Sequence, residues 1–267
     1  MDELLDVGTR GASLRTEDFT VRYGGQLGLF DVTVAFPDRA ITAVIGPSGS
    51  GKSTLLRGCN RLVEFVEGAT VEGTVWLGEE DVYGPGVDAT TVRRAMGIVF
   101  ETPNPFGRSV FDNVAYGPRT RGVRRDLAPL VQQALLEAGL WDEVRDDLRR
   151  PALELSLGQQ QRLCLARALA GRPSVLLLDE PSSALDPVAT RVIEERLRLL
   201  AERHTIVLVT HSLEQAERVS DFTACFSTVV LDDGQRFGVL AEIGTTEQVF
   251  ADPRDPRTRD FLFGRRA

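Results

Sequence analysis

Hydrophobic and polar residues alternate through the first forty residues, as in DFTVRYG and LFDVTVAF. A period of two is typical of strands with one exposed face, so antiparallel strands are predicted there. Residues 40–46, AITAVIG, are apolar instead and precede the helical pattern of KSTLLRGCNRL. Such a run indicates a buried strand that feeds a helix. Two more apolar runs, SVLLLDEP and TIVLVTH, alternate with helical segments, and this alternation predicts a parallel, doubly wound α/β sheet.

Residues 102–170 show a different pattern, with apolar positions three and four apart as in APLVQQALLEAGLW. This spacing predicts an inserted helical subdomain. Further on, TVVLDDGQRFGVLAEIG is typical of a hairpin, and Thr245 and Gln248 have the spacing of a capping box at a helix start. The last stretch, DPRDPRTRDFLFGRRA, is charged and interrupted by prolines. We predict that this hairpin and the surface tail after it together occupy roughly residues 222–267.

Composition excludes several classes of protein. The formal net charge of −8 and the pI near 5.0 argue against nucleic acid as the main partner, because that role needs a concentrated basic face. Cys59, Cys164 and Cys225 stand singly in apolar stretches, so neither a disulfide framework nor a zinc site is expected. The start, MDELLDVGTRG, is acidic, and no apolar run approaches the ~20 residues that cross a bilayer. Any membrane role is therefore expected to need other subunits.

The segment GPSGSGKST, residues 46–54, contains the chain's only lysine among 31 basic residues. It fits the phosphate-loop pattern G-x-x-x-x-G-K-[ST] and lies between a buried strand and a helix start, as that motif requires. Glycines let the backbone N–H groups turn inward around an anion, and a lysine on a thin stem fits where the broad fork of arginine does not. The residues predicted to bind a nucleotide here are Gly46, Pro47, Ser48, Gly49, Ser50, Gly51, Lys52, Ser53 and Thr54.

Two adjacent carboxylates, Asp179 and Glu180, follow the apolar run SVLLL. At the tip of a buried strand the first can hold Mg²⁺ through water, and the second can orient an attacking water as a general base. A Ras-like GTPase would also need an Asn-Lys-x-Asp loop, and no second lysine exists to build one.

Five motifs in family order give the chain a resemblance to the ATP-binding cassette (ABC) ATPases, from about residue 18 to residue 265. Besides the phosphate loop and the DEP strand, LSLGQQQRLCLARALA is similar to the family signature with its helix, SALD to the D-loop, and VTHS to the switch-histidine segment. The resemblance implies one nucleotide-binding domain over residues 1–267. Its implied fold is a RecA-like P-loop NTPase with an N-terminal antiparallel β subdomain and a helical signature subdomain.

In this family two domains meet head to tail around two ATP molecules, so the resemblance implies a homodimer with ATP between the phosphate loop of one copy and the signature of the other. It implies ATP and Mg²⁺ as cofactors. The implied roles are catalysis for Glu180, His211 and Lys52, metal binding for Ser53, Glu101 and Asp179, stacking on adenine for Tyr23, and nucleotide contacts or alignment for Ser156, Gly158, Gln159 and Asp186. Tyr23 as a packed strand residue and His211 as a simple strand end are the alternatives.

Three longer segments are similar to the ATPase subunits of bacterial phosphate importers, namely CNRLVEFVEGATVEGTVWLGEEDVY, TPNPFGRSVFDNVAYGPR and TEQVFADPRDPRTRDFLFGR. The resemblance implies two transmembrane permease subunits, which would dock on the segment that begins at Thr102 and ends at Val110. It also implies an indirect link to an extracytoplasmic phosphate-binding protein and a peripheral location on the cytoplasmic face of the cell membrane. The choice of phosphate rests on resemblance alone.

Two positions depart from the family pattern. Glu101 stands where the family has glutamine, and Leu157 where it usually has glycine. A carboxylate at position 101 keeps a ligand oxygen for Mg²⁺ but adds charge near phosphate, so altered Mg²⁺ dependence with intact ATP binding is expected. These departures leave open a divergent, ATP-gated dimerising regulatory module with little turnover. An importer ATPase for another small solute also stays open, whereas a DNA- or ribosome-associated ATPase would show coiled-coil insertions or tandem cassettes.

Overall fold

The computed structural model describes residues 12–264, so the acidic N-terminal segment lies outside the described residues. The chain divides into two compact units, one formed by residues up to 93 with those from 205 onward, the other by residues 94–204. The strands are β1 (Ala12–Tyr23), β2 (Gln26–Pro37), β3 (Ile41–Ile45), β4 (Ala69–Leu77), β5 (Glu80–Asp81), β6 (Met96–Val99), β7 (Val175–Asp179), β8 (Thr205–Val209), β9 (Phe222–Val230) and β10 (Arg236–Thr245). The helices are α1 (Lys52–Cys59), α2 (Ala89–Ala95), α3 (Val110–Thr120), α4 (Leu127–Glu137), α5 (Trp141–Val144), α6 (Leu157–Leu169), α7 (Pro187–Ala201), α8 (Leu213–Val219), α9 (Thr246–Ala251) and α10 (Pro256–Phe263).

The first unit contains a mixed sheet whose strands lie in the order β5-β4-β1-β2-β10-β9-β3-β8. Strands β1 and β2 pair antiparallel, with Leu14 opposite Phe36 and Phe19 opposite Val32. All four of these side chains are buried. The alternating pattern of the early sequence is therefore confirmed as antiparallel strands with one buried face.

Strand β3 lies in the interior of this sheet and pairs in parallel with β8 and β9. Every residue of β3 and of β8 is buried, which explains why both read as unbroken apolar runs. Because parallel strands end at the same edge, the loops that follow β3 and β8 begin side by side: the Thr210 N–H donates to the Val44 carbonyl at 3.3 Å. This edge carries the phosphate loop and the segment around His211.

The second unit pairs β6 and β7 in parallel, with Val99 opposite Leu178. Helices α3 to α6 lie within residues 102–170, and α7 follows β7. Three of these helices begin at a side chain that accepts a backbone N–H: Ser109 caps α3, Ser156 caps α6 and Asp186 caps α7. Such caps satisfy N–H groups that have no partner inside the helix, and so fix where each helix starts.

The C-terminal hairpin is confirmed, since β9 and β10 pair antiparallel from Val230 opposite Arg236. Thr245 caps α9 by accepting from the Gln248 N–H, but the Gln248 amide donates to Glu242 instead of completing a capping box. The prediction of a surface tail was wrong. Residues 256–263 form α10, in which Leu262 is buried against the core cluster that contains Ile45 and Val249.

A buried carboxylate explains why the C-terminal segment folds against the hairpin. Glu242 on β10 is 2% exposed. Its oxygens accept the backbone N–H of Arg254 at 2.9 and 3.0 Å, the N–H of Asp255 at 3.0 Å and the Gln248 amide at 3.0 Å. A buried charge needs this many donors to compensate for lost hydration. The composition of the C-terminal segment does not indicate these contacts, because the residue that makes them, Glu242, lies outside that segment.

Candidate active site

The phosphate loop joins β3 to α1 in the first unit. Gly46, Gly49 and Gly51 have φ of 143°, 80° and 82°, in the region that favours glycine. Lys52 is the first residue of α1 and is 8% exposed. Its ammonium donates to the carbonyls of Gly46 at 2.8 Å and Pro47 at 2.9 Å. The lysine side chain thus folds back over its own loop. It lies at the N-terminal end of α1, and this end of a helix favours anions.

The same loop contains a buried polar atom with no protein partner. Ser50 is fully buried, and its Oγ makes no hydrogen bond among the described residues. A Cβ built on Gly46 would lie 3.1 Å from that oxygen and would overlap the Phe226 carbonyl. The loop is therefore a tightly packed cradle of backbone, one cation and hydroxyl groups, which is the donor set that a phosphate group needs.

Two glycines outside the motif shape this cradle, and the sequence analysis missed both. A Cβ on Gly238 of β10 would lie 2.5 Å from the Ser50 carbonyl carbon and 3.0 Å from the Gly51 nitrogen. A Cβ on Gly51 would in turn lie 3.0 Å from the Gly28 carbonyl of β2. No local pattern identifies these positions, because their role depends on contacts between segments that are distant in sequence.

Tyr23 ends β1 beside the same cradle. A Cβ on Gly28 would lie 2.9 Å from its ring, so the glycine makes room for the aromatic face. Its Oη lies 3.5 Å from Thr54 Oγ1, the last hydroxyl of the motif. The ring is half-buried. Tyr23 is thus placed by a strand, as the alternative reading held, and also adjoins the phosphate loop.

His211 follows β8 at the edge where the phosphate loop begins. It is exposed, and Thr210 before it is buried. The Ser212 N–H donates to Thr210 Oγ1 at 3.0 Å, and Ser212 Oγ caps α8 by accepting from the Gln215 N–H at 3.2 Å. The segment that carries His211 is therefore held on both sides.

In the second unit, Asp179 and Glu180 stand at the carboxyl end of β7. Asp179 is 7% exposed, while Glu180 is half-buried. Glu180 has φ of 49°, a conformation that costs a non-glycine residue about 1–3 kcal/mol. Its carbonyl accepts the Ser183 N–H at 3.2 Å, which closes the turn. Strained backbone of this kind is concentrated at functional sites.

Glu101 follows β6, which pairs with β7. It is exposed, and its Oε1 accepts from Ser183 Oγ at 3.3 Å. Ser183 belongs to the turn that Glu180 begins, so Glu101 is connected to that turn through one side-chain contact. A glutamine would offer the same acceptor oxygen; the departure at this position changes the charge and removes an NH₂ donor.

The signature segment begins α6 with a complete capping box. Ser156 Oγ accepts the Gln159 N–H at 3.3 Å, and Gln159 Oε1 accepts the Ser156 N–H at 3.0 Å. Leu157 is the first helical residue and is 45% exposed, so its side chain is accommodated toward solvent. Gly158 is different, because a Cβ there would lie 3.0 Å from the Ala189 Cβ of α7. The structure thus tolerates the departure at 157 and requires a small residue at 158.

Behind this helix start lies Glu143, on α5. It accepts from Arg162 at 2.5 and 3.2 Å and from Gln159 Nε2 at 2.9 Å. Partial burial raises the pKa of Glu143, but the hydrogen bonds from Arg162 and Gln159 outweigh it and hold that pKa below its usual value. The carboxyl is therefore ionised at neutral pH and acts only as an acceptor.

Asp186, at the end of SALD, accepts the N–H groups of Val188 and Ala189 at 2.9 Å each. It is exposed, and with Ser156 and Leu157 it lines a surface cavity of about 400 Å³ in the second unit. These two hydrogen bonds cap α7 and fix where it starts, so Asp186 has a structural role as a helix cap.

The segment from 102 to 110 is irregular and strongly braced. Asn113 is fully buried and bonds to both the N–H and the carbonyl of Phe106, at 2.8 and 3.1 Å. The Arg167 guanidinium stacks 4.5 Å above the Phe106 ring and donates to both oxygens of Asn104. Phe106 and Tyr116 meet edge to face at 4.8 Å, yet they remain 37% and 43% exposed. The result is a preformed aromatic surface.

Within residues 12–264, potential metal-binding side chains do not cluster. No group of three or more His, Cys, Asp or Glu in that range could hold a metal ion. Cys59, Cys164 and Cys225 are buried and form no disulfide. Within the same part of the chain, no helix is both long and apolar enough to span a bilayer.

The chain is similar to known proteins over most of its length. The ABC transporter family profile matches residues 29–183. A "Phosphate import ATP-binding protein PstB 1" of Synechococcus sp. (strain JA-3-3Ab) is 50% identical over 252 residues, which cover 94% of this chain and 92% of that protein. A "Phosphate import ATP-binding protein PstB 2" of Synechococcus sp. (strain JA-2-3B'a(2-13)) is 52% identical, covering 94% of both chains.

Among solved structures, cbiO1 from Clostridium perfringens, part of the ABC transporter complex cbiONQ, aligns with a TM-score of 0.76 and 25% identity over 96% of this chain and 97% of that one. A bacterial Atm1-family ABC exporter with ATP bound aligns with the same TM-score and 26% identity, covering 97% of this chain and 42% of that one.

Proposed function

The chain belongs to the ABC transporter family, and we propose that it is the ATP-hydrolysing subunit that powers phosphate import through membrane partners. The main support for this proposal is the phosphate loop. Its glycine cradle, the buried Ser50 hydroxyl and the Lys52 ammonium form one anion site at a helix start. Phosphate as the transported solute rests on similarity to the phosphate-import proteins over nearly the whole chain.

Binding of ATP begins with the triphosphate in the loop. Backbone N–H groups of residues 46–54 and the Lys52 ammonium meet the phosphate oxygens. Lys52 must exchange its bonds to the Gly46 and Pro47 carbonyls for bonds to phosphate. Tyr23, half-buried beside Thr54, offers its ring to the adenine. The nucleotide is thus held by charge at one end and by stacking at the other.

Hydrolysis needs a polarised water and compensation of charge on the transferred group. Glu180 is the general base that orients the water, and its strained backbone presents the carboxylate at a strand tip. His211 contacts the γ-phosphate, and Lys52 stabilises charge as the bond breaks. Each of these groups acts by position rather than through a covalent intermediate.

Mg²⁺ is the metal of this proposal, and when bound it would supply positive charge that compensates the charge on the phosphate groups. Ser53, Asp179 and Glu101 are the residues that would hold it. The donor set fits, because Mg²⁺ is typically held by one or two carboxylates together with substrate phosphates and water.

A second copy of this chain completes the site in our proposal. Ser156, Gly158 and Gln159 contact the ATP held by the other copy, and Asp186 aligns the two copies. Support comes from the exposed start of α6, where Ser156 already accepts a backbone N–H through Oγ. Its hydroxyl proton is then the group left to donate to an anionic oxygen.

The membrane partners dock on the segment from Thr102 to Val110, where Phe106 packs edge to face against Tyr116 of α3. A rigid aromatic patch loses little conformational entropy on binding, which suits a surface that transmits motion. The chain would accordingly lie at the cytoplasmic face of the cell membrane with two permease subunits, and a phosphate-binding protein outside the cell membrane would deliver phosphate to them.

Phe106→Ala should abolish phosphate uptake while the isolated chain keeps its ATPase activity. Leu199→Ala, at a 53% exposed leucine of α7, is the matched control.

The function is tested with the purified chain. ATP binding by calorimetry should disappear in Lys52→Ala and weaken strongly in Lys52→Arg, because the guanidinium does not fit the cradle. Turnover of ATP should be lost in Glu180→Gln while binding remains, which also separates an ATPase from a regulatory module without turnover. Cells that lack this chain should regain phosphate uptake with the parent and not with Glu180→Gln. Equal ATP binding by parent and Lys52→Ala would refute the proposal.

A further inference from the structure

Glu143 reaches two residues of the signature helix although it belongs to a different element. Its Oε1 accepts from Arg162 Nη1 at 2.5 Å, and its Oε2 accepts from Gln159 Nε2 at 2.9 Å. The Arg162 side chain is 9% exposed and also donates to the Gly139 carbonyl at 2.6 Å. Helix α5 is thereby fastened to the first and second turns of α6.

This contact decides which way the Gln159 amide faces. An ionised carboxylate can only accept, so the amide must present its nitrogen to Glu143. The amide oxygen then faces the Ser156 N–H, which it accepts at 3.0 Å. Were the amide turned around, two donors would meet at Ser156 and two acceptors at Glu143. Glu143 therefore selects the orientation on which the capping box depends.

The capping box in turn sets the direction of the Ser156 hydroxyl. Because Ser156 Oγ accepts the Gln159 N–H at 3.3 Å, its lone pair is directed into the helix and its proton away from it. The chain of contacts runs from Glu143 through Gln159 to Ser156, which is exposed at the helix start.

We propose that Glu143 is a positioning residue for ATP hydrolysis, which orients the Gln159 amide and thereby aims the Ser156 hydroxyl at the ATP bound by a second copy of the chain. This inference rests on the proposed function, since it assumes that the signature meets nucleotide. It goes further by assigning a role to a residue that lies outside all the nucleotide motifs and contacts no nucleotide itself.

A purely structural role would be to neutralise the buried Arg162, and the isosteric variant Glu143→Gln separates the two roles. A glutamine keeps an oxygen for Arg162 but presents its NH₂ group toward Gln159, where an acceptor is required. Either the hydrogen bond between positions 143 and 159 is lost, or the Gln159 amide turns around and loses its hydrogen bond to the Ser156 N–H. Asp142→Asn is the matched control, because Asp142 lies on the same short helix and pairs with Arg145 instead.

The test compares purified parent, Glu143→Gln and Asp142→Asn for ATP affinity, kcat and melting temperature. Glu143→Gln should lower kcat about tenfold, the effect of one lost hydrogen bond of roughly 1.4 kcal/mol. Its ATP affinity should stay within about twofold of the parent, because the phosphate loop belongs to the other unit. Asp142→Asn should match the parent. A parental kcat in Glu143→Gln would overturn the inference.

A reciprocal exchange keeps the test decisive if Glu143→Gln is unstable. In the double variant Glu143→Gln with Gln159→Glu, the new carboxylate accepts at once from Ser156 and from the amide introduced at position 143, so the donor and acceptor order is restored. The double variant should be at least about fivefold more active than Gln159→Glu alone, whereas unlinked losses would multiply. Failure of the parent to bind or hydrolyse ATP would count against the proposed function; an active parent without rescue would count against Glu143 alone.

Discussion

Gly238→Ala is the sharpest probe of how the fold shapes the phosphate loop. Gly238 belongs to β10, far from the motif in sequence, yet its Cα lies against Ser50 and Gly51. A methyl group there would lie 2.5 Å from the Ser50 carbonyl carbon and 3.0 Å from the Gly51 nitrogen, and both of these are backbone atoms. No rotamer change can relieve such a clash, so the loop itself must move.

The size of the effect follows from that distance. To restore ordinary contact the Ser50 carbonyl must shift by about 1 Å, and a displacement of that size at a positioned group typically costs about a hundredfold in function. Overpacking of a tight interior costs about 1–3 kcal/mol in the absence of ligand. We therefore expect the Kd for ATP to rise between about tenfold and a hundredfold, which is about 1.4–2.8 kcal/mol of binding free energy.

Calorimetry with ATP, and the rise in melting temperature on adding ATP, measure this effect. Gly264→Ala is the control, because a Cβ at Gly264 meets nothing within 4 Å and its φ of −66° suits alanine. The control should bind ATP like the parent. If Gly238→Ala binds ATP with parental affinity, then packing from β10 does not set the conformation of the phosphate loop, and the structural argument for the cradle is wrong.

Three further substitutions test separate parts of the structure. Glu101→Gln keeps the acceptor for Ser183 but removes the charge, so the Mg²⁺ concentration for half-maximal ATPase activity should rise about threefold; superimposable Mg²⁺ titrations would contradict this. Leu157→Gly should lower stability by up to about 1 kcal/mol through helix propensity and change kcat less than threefold, as measured by urea unfolding and ATP turnover. Glu242→Ala leaves buried N–H groups without an acceptor and should lower the free energy of unfolding by about 2–4 kcal/mol. The control Glu247→Ala, at an exposed residue, should leave the free energy of unfolding unchanged.

The sequence by itself determined strands β1, β2, β3, β7 and β8, the C-terminal hairpin, the phosphate loop and the acidic strand tip. Each is written in a contiguous stretch: period-two alternation gives β1 and β2, an unbroken apolar run gives β3, and the glycine spacing around Lys52 gives the cradle. Local patterns suffice because backbone preference and burial of one face act over a few neighbouring residues.

Only the tertiary structure decided which distant residues complete these elements. Gly238 supports the phosphate loop, Glu242 holds the C-terminal helix that had been predicted as a surface tail, and Glu143 orients Gln159. In the sequence these are an ordinary glycine and two ordinary glutamates. Their roles arise from steric exclusion and from hydrogen-bond direction between segments that meet only after folding, and neither property leaves a periodic signal along the chain.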